Sequence, residues 1–393
     1  MINTLFNSKY ILSRNRAPWV DYARGITIIL VCYRHTYEGL INSNMLSTSD
    51  HPILEYLNVF FFSFRMPLFF LVSGIFLGIS LAKKGIRQFI EDRSRYIFYP
   101  FLLWGLIQIT LQLVLADYAN ADREPIDYLY LIIAPREIEQ FWYLNALFFV
   151  SVLYASLKIR YKFNQWHQLA LGLVLYSISG VCLMENINIG FLSDVFFFYF
   201  FFAIGDCIAV LITDPVKRGN LISSSALWFL LPLFLIAQYI FTTININHAD
   251  DYYVNHQLPP LYALVALIGC AFIINLCYML QKMNVAKWLR VIGYHSLYIY
   301  VMHLIIIGGL RFVYKNVLGA SNVYLFLVIA ISLGVLIPTI TYNLANRIGA
   351  GWLFELKRKT PIKPVPDENL QIQKQQIVKP DTEIVPHDQS KWN

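Results

Sequence analysis

Long apolar segments alternate with shorter polar ones along most of the chain. Ten apolar segments are long enough to cross a bilayer, which takes about 20 residues of helix. They lie at 19–40, 53–82, 95–116, 141–158, 168–185, 188–212, 225–243, 258–281, 293–314 and 322–346. This pattern predicts an all-α, polytopic membrane protein with about ten transmembrane helices.

The charged residues between these segments predict how the helices are oriented. Lysine and arginine cluster before the first span and in alternate loops after it, whereas the loops at 41–52 and 244–257 contain neither. Because basic loops stay in the cytoplasm, we expect both termini there. The chain then divides into a cytoplasmic N-terminal segment at 1–18, a transmembrane domain at 19–349 and a disordered cytoplasmic tail at 350–393. The tail is rich in proline, glutamine and charged residues.

Composition supports the membrane assignment and removes some classes of function. Hydrophobic residues make up 57% of the chain and charged residues only 14%, whereas about a quarter of a soluble domain is charged. The net charge of +7 follows from the basic loops, so membrane lipids are expected partners and nucleic acid is not. The spacing of cysteine and histidine does not suggest a metal site, and no metal is expected.

The first predicted span is unusual because it contains five ionisable residues. They are Asp21, Arg24, Arg34, His35 and Glu38. Such residues are costly within a membrane and mark a functional site by default. Arg24 and His35 lie about 20° apart around a helix and roughly 16 Å apart along its axis. Glu38 follows His35 at the spacing that lets helix side chains meet, so we expect a site that is used from both sides of the membrane.

Later spans hold four further candidates for binding substrate. A lone guanidinium within a membrane, such as Arg65 in the second span, needs a carboxylate or an anionic ligand. Asp194 lies near one end of the sixth span. Its candidate partners are Arg34, Arg65 and Arg311. Trp142 begins the apolar part of span four, where an interfacial aromatic belt also explains it. His303 in span nine is either a catalytic group or, more commonly for such a residue, a structural hydrogen-bonding one.

The polar segment 117–140 separates spans three and four and is predicted to lie on the outer side of the membrane. It is long, acidic and partly amphipathic, and its only basic residues are Arg123 and Arg136. Two interpretations fit this pattern. The segment forms either a flap over an outer cavity or an interfacial helix without a role in ligand binding.

Five stretches, spread over spans one to nine, carry a family resemblance. They are DYARGITIILVCYRH (21–35), FRMPLFFLVSG (64–74), the arginine-containing loop that runs to YPFLLW (93–104), FWYLNALF (141–148) and HSLYIYVMHL (295–304). Together and in this order they resemble acyltransferase family 3, integral membrane proteins that transfer acyl groups to hydroxyls of sugars and other acceptors. The resemblance covers most of the predicted membrane domain.

The resemblance implies an acyl-CoA donor that binds from the cytoplasm and an acceptor hydroxyl presented on the outer side. Arg24 and His35 match the arginine–histidine pair that the family requires. With Glu38 they are the expected catalytic residues, and Arg24 is also expected to bind the donor.

Other matched positions concern the donor and the acceptor. Arg93 matches the first arginine of a pair linked to donor binding in the family. The second position holds Tyr96 here, with Arg95 beside it as the expected substitute. Arg65 stands where many relatives resembling the fucose O-acetylases have histidine, so the nature of the acceptor stays open.

These observations predict an enzyme that moves an acyl group, expected to be acetyl, from cytoplasmic acyl-CoA to a hydroxyl. The acceptor is expected to be a cell-surface glycan or its lipid-linked precursor, and the location the bacterial cytoplasmic membrane. His35 would take the hydroxyl proton. The alternatives are a transporter or exporter that uses the buried charges as a pathway, and a membrane scaffold that signals through its tail.

Overall fold

A computed structural model describes residues 5–13, 17–116 and 122–356, and most of these residues form helices, with no β-strand in those ranges. In chain order the α-helices are α1 (Ser8–Ser13), α2 (Pro18–Asn42), α3 (Pro52–Phe60), α4 (Arg65–Ile75), α5 (Leu77–Arg93), α6 (Tyr99–Val114), α7 (Asp127–Ile133), α8 (Trp142–Arg160), α9 (Gln165–Met184), α10 (Leu192–Thr213), α11 (Pro215–Leu221), α12 (Ser224–Asn247), α13 (Tyr253–Gln257), α14 (Pro259–Met283), α15 (Trp288–Tyr294), α16 (Ser296–Phe312) and α17 (Val323–Arg347). Shorter 3₁₀ and π-helical turns are at Ser94–Phe98, Pro135–Phe141, Val313–Val317 and Gly351–Leu353.

Nine helical segments of the described residues are long and apolar enough to cross a membrane. They are Pro52–Ile75, Leu77–Val114, Pro135–Arg160, Gln165–Met184, Leu192–Thr213, Ser224–Asn247, Pro259–Met283, Ser296–Val317 and Val323–Arg347. These segments match the second to tenth predicted spans, and the all-α, polytopic membrane fold is confirmed. The orientation of the termini stays a prediction.

The first predicted span is α2, which has 25 residues and therefore the length of a span. Its ionisable residues make it less apolar than the nine other segments. Fifteen of its residues are buried, and it packs against α14, α15, α16 and α17. A helix enclosed by other helices can carry charged side chains because they face protein or a cavity rather than lipid.

The second predicted span, 53–82, consists of α3, α4 and the first residues of α5 in the structure. α3 ends at Phe60 and α4 begins at Arg65. Pro67 is the third residue of α4, where a backbone N–H has no partner within the helix in any case. Pro67 therefore costs no helical hydrogen bond at this position, and the break lies just before it, at 61–64. This break places Arg65 at the start of a helix in the protein interior.

The predicted tail begins at 350, but the structure packs the first residues of this segment against the helices. Phe354 is buried, and its ring stacks on Trp104 with centroids 5.5 Å apart. The indole Nε1 of Trp104 also donates to the carbonyl of Leu353 over 2.9 Å. The packed part of the chain thus extends to Leu356, and the rest of the predicted tail lies outside the described residues.

Candidate functional site

One end of α2 holds a histidine–carboxylate–arginine cluster. The Nδ1 atom of His35 lies 3.0 Å from Oε2 of Glu38, and Nε of Arg34 lies 2.7 Å from Oε1 of the same carboxylate. Each oxygen of Glu38 therefore has its own partner. An Nδ1–H donated to Glu38 leaves Nε2 of His35 as the nitrogen with the free lone pair, which is the arrangement of an oriented base. The predicted His35–Glu38 contact is present.

Arg34 connects this cluster to the segment that follows α12. Its guanidinium donates to Oδ2 of Asp251 over 3.0 Å and to the hydroxyl of Tyr252 over 2.8 Å. Asn58 of α3 donates to the same carboxylate oxygen of Asp251 over 3.0 Å. Arg34 is thus a tightly held structural cation, which fixes one side of Glu38.

A cavity of about 960 Å³ opens beside the cluster. Its charged lining residues are Arg34, Glu38, Arg65, Arg136, Glu139 and Arg311. His35 and Trp142 also line it, and Val31, Leu111 and Leu304 are among its apolar lining residues. A cavity of this size fits a drug-sized ligand, and its lining combines an apolar wall with a few polar groups.

His303 lies behind His35 and is not a lining residue of the cavity. The centroids of the two imidazole rings are 5.2 Å apart. The Nδ1 atom of His303 is 2.8 Å from the carbonyl of Tyr300, whereas its Nε2 has no hydrogen-bond partner among the described residues. The structure therefore brings His303 next to the candidate base, but not to the surface that a substrate would touch directly. Its predicted role in substrate binding stays a prediction.

Asp194 has a partner that the sequence did not suggest. Arg136 grips it with two nitrogens, with Nη2 2.6 Å and Nε 3.0 Å from Oδ1. The candidate partners Arg34, Arg65 and Arg311 are therefore wrong for Asp194. The guanidinium of Arg136 also lies over the ring of Trp142, 4.5 Å from its centroid. Arg136 and Trp142 line the cavity. Asp194 is not a lining residue, and it holds the guanidinium of Arg136 in place.

The segment that carries Arg136 covers part of the cavity, as the flap interpretation expects. Within it, Glu139 also lines the cavity and has a positive φ of 52°, which is a strained conformation for a residue with a side chain. Its carboxylate accepts a 2.8 Å hydrogen bond from Gln108 and lies 3.5 Å from Arg123. Residues 117–121 of the predicted segment lie outside the described part of the chain.

Two cations of the cavity lining have no ion pair within 4.0 Å among the described residues, and they are Arg65 and Arg311. Arg65 is 3% exposed, and its one side-chain hydrogen bond among these residues is from Nη1 to the carbonyl of Leu30, over 3.0 Å. Its guanidinium also lies 5.3 Å from the ring centroid of Phe62. A guanidinium has five N–H donors, so most of those of Arg65 are available to a ligand.

The other end of α2 holds a second cationic cluster. Arg24 and Arg93 lie near each other and near the hydroxyl of Tyr143. Within the described residues, neither arginine has an ion pair within 4.0 Å. The structure thus brings Arg24 and Arg93 together, as expected for residues that share a ligand.

Arg95 contacts a different part of the chain from Arg24 and Arg93. Its Nε donates to the carbonyl of Leu356 over 2.7 Å, and its Nη2 donates to the same oxygen. Its guanidinium also stacks over the ring of Tyr96. In this arrangement Arg95 holds the end of the packed chain. Its predicted role in donor binding stays a prediction.

Several lining residues were not found by sequence reasoning, and they include Arg136, Glu139 and Tyr252. The one sequence signal for Arg136 is that it is one of two basic residues in an otherwise acidic segment. Such a residue needs an acidic partner, but the partner itself comes from a helix 58 residues further along the chain.

Comparisons with known proteins cover both clusters. A family model described as "Acyltransferase domain" matches residues 17–342. A protein named "Nodulation protein NolL" from Mesorhizobium japonicum is 23% identical over 229 residues, 58% of this chain and 56% of that protein. A protein of the same name from Sinorhizobium fredii is 24% identical over 155 residues, 38% of this chain and 40% of that protein. The chain spans about half the length of these curated relatives. No solved structure matches it.

Proposed function

This chain belongs to acyltransferase family 3, and from that premise we propose that it transfers an acyl group from acyl-CoA to the hydroxyl of an acceptor. Acetyl is the expected group and acetyl-CoA the expected donor. The acceptor class we propose is a cell-surface glycan or its lipid-linked precursor, and the location is the bacterial cytoplasmic membrane. The observation that carries the proposal is the oriented His35–Glu38 pair in the wall of a cavity large enough for a substrate.

The chemistry needs a base, and His35 suits this role. Its Nε2 takes the proton of the acceptor hydroxyl while the hydroxyl oxygen attacks the thioester carbonyl carbon. The carbon–sulfur bond then breaks, and the CoA thiolate leaves with the proton that His35 has taken up. Glu38 holds the imidazole in one orientation and stabilises its protonated form, as the carboxylate of a catalytic triad does.

Attack on the carbonyl produces an oxyanion, which needs hydrogen-bond donors in a site without water. Arg65 supports this role because it lines the same cavity and has donors without partners among the described residues. Leu30, which accepts its hydrogen bond, precedes His35 by five positions, or roughly 7.5 Å along the helix axis. Arg65 thus contacts α2 on the Arg24 side of His35, and its guanidinium shares the ring of Phe62 with that of Arg34.

The second cluster fits the donor. Arg24 and Arg93 are close enough to repel each other, and arginine binds phosphate oxygens in pairs. The phosphates of CoA are anions that would offset this repulsion. The long arm that links them to the thioester would then run along α2 toward His35, over roughly 16 Å. If the predicted orientation holds, the donor enters from the cytoplasm and the acceptor from outside.

The test is acetyl-CoA turnover by the purified, full-length protein in liposomes, comparing wild type with His35→Ala. Loss of a general base is expected to lower the rate by about 10²–10⁴-fold. His167→Ala is the matched control, since His167 is exposed at the start of α9 and is not part of the cavity lining. A folded His35→Ala variant that turns over acetyl-CoA at the wild-type rate would end the proposal.

A further inference from the structure

Arg311 enters the cavity from the last turn of α16 and meets α2 at a glycine. A Cβ atom on Gly39 would lie 2.3 Å from Nη1 of Arg311. Any larger residue at position 39 would therefore displace the guanidinium. Gly39 follows Glu38 directly, so the guanidinium lies beside the catalytic cluster, on the far side from Arg24.

The charges around Arg311 leave it without a neutralising partner. Within the described residues its guanidinium makes no ion pair within 4.0 Å and no hydrogen bond within 3.5 Å. Glu139 attracts it electrostatically from a greater distance, but the carboxylate of Glu139 is already engaged by Gln108 and lies close to Arg123. The second lining acid, Glu38, is occupied by Arg34 and His35.

The position of Arg311 also separates it from Arg65. Arg65 contacts α2 at Leu30, and Arg311 contacts it at Gly39. These two residues of α2 are roughly 13.5 Å apart along the helix axis. His35 lies between these levels. A group bound by Arg311 is therefore on the acceptor side of the proposed base, and it is farther from the donor than a group bound by Arg65.

We propose that Arg311 binds an anionic group of the acceptor, so that the acceptor class is a sugar with a carboxylate or a phosphate rather than a neutral one. Identifying the bound molecule as the acceptor rests on the proposed function. The anion site itself does not depend on catalysis. Arginine suits both groups, because its planar fork matches the paired oxygens of a carboxylate or phosphate.

The test measures equilibrium binding of three probes to the full-length protein in nanodiscs, without acetyl-CoA. The probes are methyl glucuronide, its uncharged methyl ester and glucose 1-phosphate. We expect at least one charged probe to bind about 10- to 100-fold more tightly than the ester, the effect of a charge-assisted hydrogen bond. Preference for the glucuronide indicates an acidic sugar, and preference for the phosphate indicates a phosphate-linked one.

Three variants assign the effect to Arg311. Arg311→Gln should reduce the affinity for the charged probe to that of the ester, and Gly39→Ala should reduce it in part because it displaces the guanidinium. Lys315→Gln is the matched control, since it removes the same charge at the same end of the fold, where Nζ of Lys315 donates to the carbonyl of Ser43 over 2.7 Å. Lys315 is not a lining residue, and its variant should bind like wild type.

Two results would overturn the inference. One is equal binding of all three probes to the wild-type protein. The other is an equal loss of affinity in Arg311→Gln and Lys315→Gln, which would indicate general electrostatic attraction. Neither result depends on turnover. A protein that is inactive but still binds the charged probe through Arg311 would contradict the proposed function and support the anion site.

Discussion

The two ends of α2 use glycine in opposite ways. At the Arg24 end, Gly25 and Gly293 bring α2 and α15 into backbone contact, because a Cβ on Gly293 would lie 1.8 Å from the carbonyl oxygen of Asp21. At the His35 end, Gly39 leaves space that the guanidinium of Arg311 occupies. Glycine thus fixes the helix at one end and makes room for a polar side chain at the other.

The two ends of α2 also differ in how their charged side chains are paired. Glu38 has a partner on each carboxylate oxygen, so the proposed acid–base pair is held in place without a substrate. Arg24 and Arg93 lie near each other, and neither makes an ion pair within 4.0 Å among the described residues. The first arrangement suits proton transfer and the second suits binding of an anion. Variants at each end should therefore change different kinetic constants.

The largest effect predicted from this contrast is that of Arg65→Gln. Removal of one oxyanion donor costs about 10²–10³-fold in kcat, so kcat should fall by that amount, with little change in the KM for acetyl-CoA. Steady-state kinetics in liposomes measures both constants. Arg160→Gln, at the exposed end of α8, is the control. A variant at position 65 that keeps more than a tenth of kcat would rule out this role.

At the opposite end, Arg24→Gln should act mainly on the donor. Loss of a charge-assisted contact with a phosphate is expected to raise the KM for acetyl-CoA by about 10- to 100-fold. The KM for the acceptor should stay within a factor of about two, since Arg24 is not part of the cavity lining. If the acceptor KM rises instead, the two ends do not divide the substrates between them as proposed.

The sequence predicted features that depend on local spacing. Apolar runs predicted the helices because a span requires length and apolarity, and helical periodicity predicted the His35–Glu38 contact. The break in the second span was not predicted, because 53–82 is one continuous apolar segment in the sequence, whereas the structure begins a new helix at Arg65. In each of these cases the information lies within a few turns of chain.

Contacts between distant segments could not be predicted in the same way. Arg34 pairs with Asp251, 217 residues away, and Arg136 pairs with Asp194. Which arginine meets which carboxylate depends on how the helices pack, and no local pattern carries that information. The same holds for Glu139, whose place in the cavity follows from the fold of the segment between α7 and α8.

The smallest predicted effect is on the stability of the protein, and it compares alanine substitutions at the two glycines. Gly293→Ala should lower the free energy of unfolding by roughly 1–3 kcal/mol, the usual cost of forcing atoms into a packed interior, because its Cβ would meet backbone that cannot move aside. Gly39→Ala is the matched substitution, and its Cβ would meet only the flexible end of Arg311. Alanine also favours helix over glycine by roughly 0.5–1 kcal/mol, so this variant should be at least as stable as wild type. Denaturant unfolding in micelles, followed by circular dichroism, compares the two, and equal stability of both variants would contradict backbone contact at the Arg24 end.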